Sequence, residues 1–215
     1  MIYRLNKENL SFPDPNEADE NGLLAVDGDL NPERLILAYR SGIFPWPYEE
    51  KLLWFSPDPR AVLCPKSFHL ARSLKRSLKR YEIKIDVNFP KVIAMCAENR
   101  KKGTWINEGV IKAYCRLHEL GFAHSVESYD ENAELVGGLY GVCMGKVFCG
   151  ESMFALKKDA SKAALYRLCQ IAFEKDGFID CQVMNPHLSS LGAVEISREK
   201  FLQILAFLRD KPPIF

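Results

Sequence analysis

One stretch, Phe148–Asn185, limits what this chain can become more than any other. It opens with Phe148-Cys149-Gly150-Glu151-Ser152-Met153-Phe154 and closes with Ile179-Asp180-Cys181-Gln182-Val183-Met184-Asn185. The closing piece is apolar and β-prone, and Gly177 and Pro186 bound it, so it reads as a strand. Between the two lies a helix. Ala164, Leu165, Leu168, Ile171 and Ala172 recur at three- and four-residue steps, Asp159 or Ser161 can cap its start, and Gly177 stops it. Strand, helix and strand in this order form a crossover, and such crossovers are nearly always right-handed.

The crossover also places chemistry. Residues two apart on a strand share a face, so Asp180 and Gln182 are expected side by side, about 7 Å apart. An unpaired acid and amide buried together would be costly, which predicts that both line a cleft. Glu151 is expected just past the first strand, at the mouth where crossover units place ligands. Spacing alone leaves a second reading open, with Glu151 a surface acid and Asp180 a paired structural carboxylate.

Before the crossover the pattern is a meander. Strands are expected over Ala123–Tyr129, Glu134–Cys143 and Lys146–Cys149, joined by tight turns. Gly137, Gly138 and Gly141 inside the second strand point to a bulge or a close approach. Meander plus crossover predicts an α+β chain with a mixed, mostly antiparallel sheet. A helix opening at Asn31-Pro32 and the prolines around 57–65 suggest a small α/β N-terminal domain, 1–62, before a larger domain, 63–215. The aromatic, proline-rich segment Ile43–Arg60 reads as a stiff irregular loop, with a base-stacking surface as the functional alternative.

Residues 67–81 carry a sharper signal. Leu70, Leu74, Leu78 and Tyr81 form one helical stripe with Ser67 as its cap, and Arg72, Lys75, Arg76, Lys79 and Arg80 lie on the opposite side with no acid among them. Charged helix faces normally mix signs, and the formal net charge of the whole chain is only +1. A local, all-basic face favours a phosphate backbone as partner. Arg100-Lys101-Lys102-Gly103 is a basic turn, and Lys101 and Lys102 beside Trp105 repeat the pairing of cation and aromatic.

Several classes are disfavoured. Phosphate-binding glycine loops are missing, so a nucleotide cofactor is not expected. His69, His118, His124 and His187 lack metal-ligand spacing, and the seven cysteines form no C-x-x-C pair, so no metal is expected and the thiols read as reduced. No apolar run of membrane-spanning length and no signal peptide is visible, which suggests a cytoplasmic chain.

Seven blocks in order carry a resemblance. They are Gly28-Asp29-Leu30, Gly42-Ile43-Phe44-Pro45-Trp46, Trp54-Phe55-Ser56-Pro57-Asp58-Pro59-Arg60, Gly103-Thr104-Trp105-Ile106, the Phe148–Phe154 block, Ala160-Ser161-Lys162 and Ile179-Asp180-Cys181-Gln182. Together they resemble the leucyl/phenylalanyl-tRNA–protein transferase family, with departures at Asp27 and Ala155 and a short tail. The resemblance implies a bacterial enzyme that moves Leu or Phe from aminoacyl-tRNA to proteins with N-terminal Arg or Lys, marking them for degradation. An aminoacyl ester is already activated, so no cofactor is expected, and an apolar pocket that discriminates weakly is expected to accept Met too. The resemblance also implies an acetyltransferase-like (GNAT-like) C-terminal domain. A monomer is expected. Trp46 and Trp105 would hold the terminal adenosine. Leu139, Phe148 and Leu165 would line the aminoacyl side-chain pocket. Glu151, Asp180 and Gln182, with Asn185, would stand at the reaction centre, and the basic helix would bind tRNA. The rivals are an RNA-binding module without catalysis, which leaves those polar residues idle, and a small-molecule acyltransferase, which lacks its pyrophosphate loop here.

Overall fold

The computed structural model describes residues 2–65, 67–70, 72–100 and 103–215. Two sheets organise them. In the first, β1 (Tyr3–Leu5) lies parallel to β2 (Leu23–Asp27), and an antiparallel hairpin of β3 (Phe44–Tyr48) and β4 (Lys51–Phe55) completes the order β1-β2-β4-β3. The segment expected to be an irregular loop is therefore a hairpin. Pro45 and Pro47 are tolerated because β3 is the edge strand, where a missing N–H costs no ladder bond. Helix α1 (Pro32–Arg40) follows β2 and starts on proline, as its sequence suggests. Asn31 occupies the cap position, but its side chain makes no capping bond.

The second sheet has seven strands in the order β11-β5-β10-β9-β8-β7-β6. They are β5 (Arg60–Leu63), β6 (Glu82–Ile85), β7 (Ala123–Tyr129), β8 (Leu135–Met144), β9 (Val147–Ala155), β10 (Phe178–Gln182) and β11 (Val194–Ile196). Every neighbouring pair is antiparallel except β9 and β10, which α5 (Ala160–Glu174) connects as the expected crossover. The chain is α+β, with a mixed and mostly antiparallel main sheet. Helices α3 (Phe89–Glu98) and α4 (Glu108–Glu119) cover one face. There, Val92, Ile93, Val110 and Leu117 merge with Leu24 and Trp54 of the N-terminal sheet and Leu35 of α1 into one core. On the other face, Ala164, Leu165, Leu168 and Ala172 of α5 pack on Leu139, Phe148 and Ile179. Helices α6 (Pro186–Ser190) and α7 (Arg198–Leu208) flank β11.

The glycines of β8 mark close approach. A Cβ on Gly137 would sit 2.5 Å from the Ala160 methyl at the start of α5, and one on Gly141 would sit 2.2 Å from the Cys149 carbonyl oxygen. The helix expected over 67–81 is shorter. Helix α2 spans Arg72–Ser77 and tightens into a 3₁₀ turn over Leu78–Arg80. Ser67 does not cap it: its hydroxyl donates to the Cys64 carbonyl at 3.2 Å. Asp159 stands at the α5 cap position in a left-handed conformation without a capping bond, and its carboxylate accepts from Ser77 Oγ at 2.8 Å. Among the described residues, no helix is long and apolar enough to cross a membrane.

Candidate active site

The site is made by two strands losing register at the same level. Parallel β9 and β10 pair from Val147–Phe178 to Cys149–Asp180 and then part. Just there, Tyr140 faces Ser152 and Gly141 faces Gly150 across β8 and β9, which leaves Glu151 as the extra residue of a bulge. Across β5 and β10, Val62 faces Asp180 and Ala61 faces Gln182, so Cys181 is extra. Gln182 completes this second irregularity at φ 63°, in the left-handed region. Bulges redirect side chains and end pairing. Together these two open a pocket of about 410 Å³ between the strands. Glu151 therefore lies inside β9 at a bulge, not beyond the strand end as expected.

The structure brings most of the expected residues to this pocket. Trp46 from β3 and Trp105 from the loop before α4 meet at its mouth, with ring centroids 5.7 Å apart and planes inclined by 31°. Leu139, Phe148 and Leu165 form an apolar wall, and Glu151, Gln182 and Asn185 line the same space. The Asn185 side chain also caps α6 by accepting the Leu188 N–H at 2.9 Å. Arg100 adds a guanidinium 5.9 Å from the Trp105 ring centre and donates to Ser152 Oγ at 3.0 Å. Lys101 and Lys102 lie outside the described residues. Arg72, Lys75, Arg76, Lys79 and Arg80 are all exposed on α2 and its 3₁₀ extension, away from the pocket lining.

Asp180 is the exception. It is fully buried and does not line the pocket. Arg60 grips it with both nitrogens, Nε to Oδ1 at 2.8 Å and Nη2 to Oδ2 at 2.7 Å. The guanidinium also donates to the Gly42 carbonyl and lies 4.3 Å from the Phe201 ring centre. The expectation that Asp180 and Gln182 share a cleft-facing side is thus corrected. The bulge at Cys181 breaks the two-residue alternation, so Asp180 turns into the interior while Gln182 turns towards the opening. The two still touch: Gln182 N–H donates to Asp180 Oδ1 at 2.9 Å.

Among the described residues, no cation forms an ion pair with Glu151. Its Oε1 accepts from Gln182 Nε2 at 2.9 Å, and its Oε2 accepts from the Tyr114 hydroxyl at 3.2 Å. The Tyr114 hydroxyl in turn meets that of Tyr39. Burial pushes the Glu151 carboxyl up to about 7, against the pull of these hydrogen bonds, and the neighbouring Asp180 charge pushes in the same direction. Burial also drives the Tyr39 and Tyr114 phenols well above their ordinary range, which keeps them as donors. With Nε2 committed to Glu151, the amide plane presents Gln182 Oε1 as the remaining acceptor. Sequence reasoning missed Arg60, Tyr39 and Tyr114. The two tyrosines lie on the buried faces of α1 and α4, and nothing in the sequence announces what their hydroxyls meet.

The comparisons with known proteins decide the family. A sequence model described as leucyl/phenylalanyl-tRNA protein transferase matches residues 62–206, and a model of that protein's N-terminal domain matches residues 28–58. The chain belongs to the leucyl/phenylalanyl-tRNA–protein transferase family. The relative from Idiomarina loihiensis is 52% identical, over 98% of this chain and 92% of its own length. That from Edwardsiella ictaluri is 51% identical, over 98% and 89%. Both carry the name leucyl/phenylalanyl-tRNA–protein transferase. A solved structure, L-PGS from Bacillus licheniformis, is similar at a TM-score of 0.41 and 13% identity, covering 76% of this chain and 54% of that one. The family assignment makes this chain an enzyme, a transferase, and accounts for the seven sequence blocks.

Proposed function

We propose that this enzyme joins Leu or Phe, and also Met, from aminoacyl-tRNA to the N-terminal Arg or Lys of acceptor proteins, which marks them for degradation. One observation carries the reading. An amide with a free oxygen, Gln182, stands beside an apolar wall of Leu139, Phe148 and Leu165 and beneath a pair of indoles. The wall suits an aliphatic or aromatic aminoacyl side chain. It discriminates weakly among them, since a methylene is worth only about 1–3 kcal/mol in such a pocket. Trp46 and Trp105 offer flat faces to the terminal adenosine. The exposed cations of α2 suit the phosphates behind it.

The chemistry needs little activation, because an aminoacyl ester is already a reactive acyl donor. The acceptor's α-amine, with a free pKa of about 7.7–8.0, must arrive neutral and in line. Its nitrogen bonds to the ester carbon, the carbon–oxygen bond to the ribose breaks, and the amine's proton passes to the departing ribose oxygen. In this scheme Gln182 Oε1 accepts a hydrogen bond from the attacking amine, and Glu151 holds the Gln182 amide in that orientation. Asp180 works one step back: paired with Arg60, it fixes the backbone of Gln182. An ionised Glu151 also makes the pocket attractive to a cationic first residue.

We also propose a division into a small domain, 1–62, and a catalytic domain, 63–215, acting as a monomer in the cytoplasm. It is supported by the four-stranded sheet ending at Phe55 and the seven-stranded one beginning at Arg60. The deciding experiment mixes the protein with labelled leucyl-tRNA and peptides that differ only in their first residue. Label should move to peptides starting with Arg or Lys and not to one starting with Asp. Binding of the tRNA with no transfer would leave an RNA-binding module, and transfer from a small acyl thioester would favour the small-molecule enzyme.

A further inference from the structure

A second groove, of about 280 Å³, adjoins the pocket. Trp46 and Val183 line both spaces, and Phe44, Tyr48, Leu53 and Phe55 complete most of the second. Trp46, Tyr48 and Val183 are among the large apolar side chains most open to solvent, at 37%, 60% and 52% exposure. Three such residues around one groove form a patch, where a single exposed apolar residue would need no explanation. Resting on the transfer reading above, we propose that this groove receives the acceptor polypeptide just behind its N-terminal residue and favours a large apolar side chain at the second or third position.

Three observations choose this occupant. Val183 directly follows Gln182 and borders both spaces, and successive Cα atoms are about 3.8 Å apart, so the groove lies within one or two residues' reach of a chain whose amine is at Gln182. The groove's lining carries no formal charge, whereas a nucleotide strand brings phosphates that seek cations. Finally, Pro45 and Pro47 leave β3 without N–H groups at those positions, so recognition there falls to side chains and not to strand addition.

The test uses the full-length enzyme, leucyl-tRNA and peptides beginning Arg-Gly-Gly, Arg-Phe-Gly and Arg-Gly-Phe. One of the phenylalanine peptides should exceed Arg-Gly-Gly in kcat/KM by about tenfold. Tyr48→Ser, a change on an exposed side chain, should shrink that preference below about threefold while transfer to Arg-Gly-Gly and the KM for leucyl-tRNA stay as in the wild type. Equal rates for all three peptides in the wild type would overturn the proposal. So would a raised KM for leucyl-tRNA in Tyr48→Ser with the peptide preference intact, which would assign the groove to the nucleotide strand. No transfer to any Arg peptide would instead remove the underlying reading, and the groove's assignment with it.

Discussion

Asp180 and Glu151 sit on neighbouring parallel strands within a few residues of the same break in pairing, yet they are held in opposite ways. Asp180 has a guanidinium on both oxygens and no opening to the pocket. Among the described residues, Glu151 meets neutral donors, the Gln182 amide and the phenols of Tyr114 and Tyr39, and it lines the pocket. The first arrangement neutralises a buried charge and anchors a backbone. The second keeps a carboxyl near the point where it exchanges its proton at working pH. Gln182 joins them, bonded through its N–H to one and through its side chain to the other. The difference teaches that burial of an acid does not by itself mark a reacting group. What matters is whether its partners are charged and whether it faces space.

The comparison breaks most visibly at Asp180. Asp180→Ala leaves Arg60 buried beside its aromatic neighbours without its counter-charge, and losing one partner of such a pair costs about 3–5 kcal/mol. Urea unfolding should show this loss, together with loss of transfer because Gln182 is no longer anchored. Unfolding at the wild-type urea concentration would show that the ion pair does not anchor the strand. Glu151→Gln should do the reverse for stability. The free carboxyl titrates near 4.5 and the folded one at about 7, so between these values the folded state holds a proton that the unfolded state has lost. Wild-type stability therefore falls as pH rises through that window, by up to about 3 kcal/mol. The Gln variant should show a flatter curve and greater stability at pH 8, with weaker transfer. Parallel curves for the two proteins would sink the assignment.

These contrasts also show where sequence reading stops. The crossover, the meander and the close-packed β8 glycines were legible, because period and spacing fix them locally, whereas the apolar wall was expected from the family resemblance alone. The orientation of Asp180 was not. Alternation put it beside Gln182, but an extra residue at Cys181 and a left-handed Gln182 reset the period, and no glycine there signals it. Arg60 was out of reach for another reason: it pairs with Asp180 across 120 positions of chain, and only the assembled sheet brings β5 beside β10. Even the hairpin of β3 and β4 was hidden, since two prolines in five residues argue against any strand that is not an edge.

The remaining predictions sharpen the contrast by smaller steps. Gln182→Asn keeps a residue type that tolerates the left-handed backbone but shortens the side chain by one methylene, so the amide no longer spans Glu151 and the amine. Transfer should fall about a hundredfold, the low end for losing one positioned hydrogen bond in the transition state, with the KM for leucyl-tRNA unchanged and stability altered by less than about 1 kcal/mol. A drop in affinity for leucyl-tRNA with turnover preserved would place Gln182 in binding instead.

Tyr114→Phe probes only the neutral side of the comparison. It removes one hydroxyl that donates to Glu151 and leaves that of Tyr39 with Glu151 as its remaining partner. The expected cost is about 1 kcal/mol at pH 8, where Glu151 is ionised and the bond is charge-assisted. At pH 5 the carboxyl is protonated, the bond is weaker, and the cost should be smaller. Because that hydrogen bond lowers the Glu151 value, its removal should also shift the midpoint of the stability curve to higher pH. Denaturation of both proteins at the two pH values measures this directly. An equal loss at pH 5 and pH 8 would mean that Tyr114 serves by packing alone, and the neutral donors around Glu151 would no longer set it apart from Asp180.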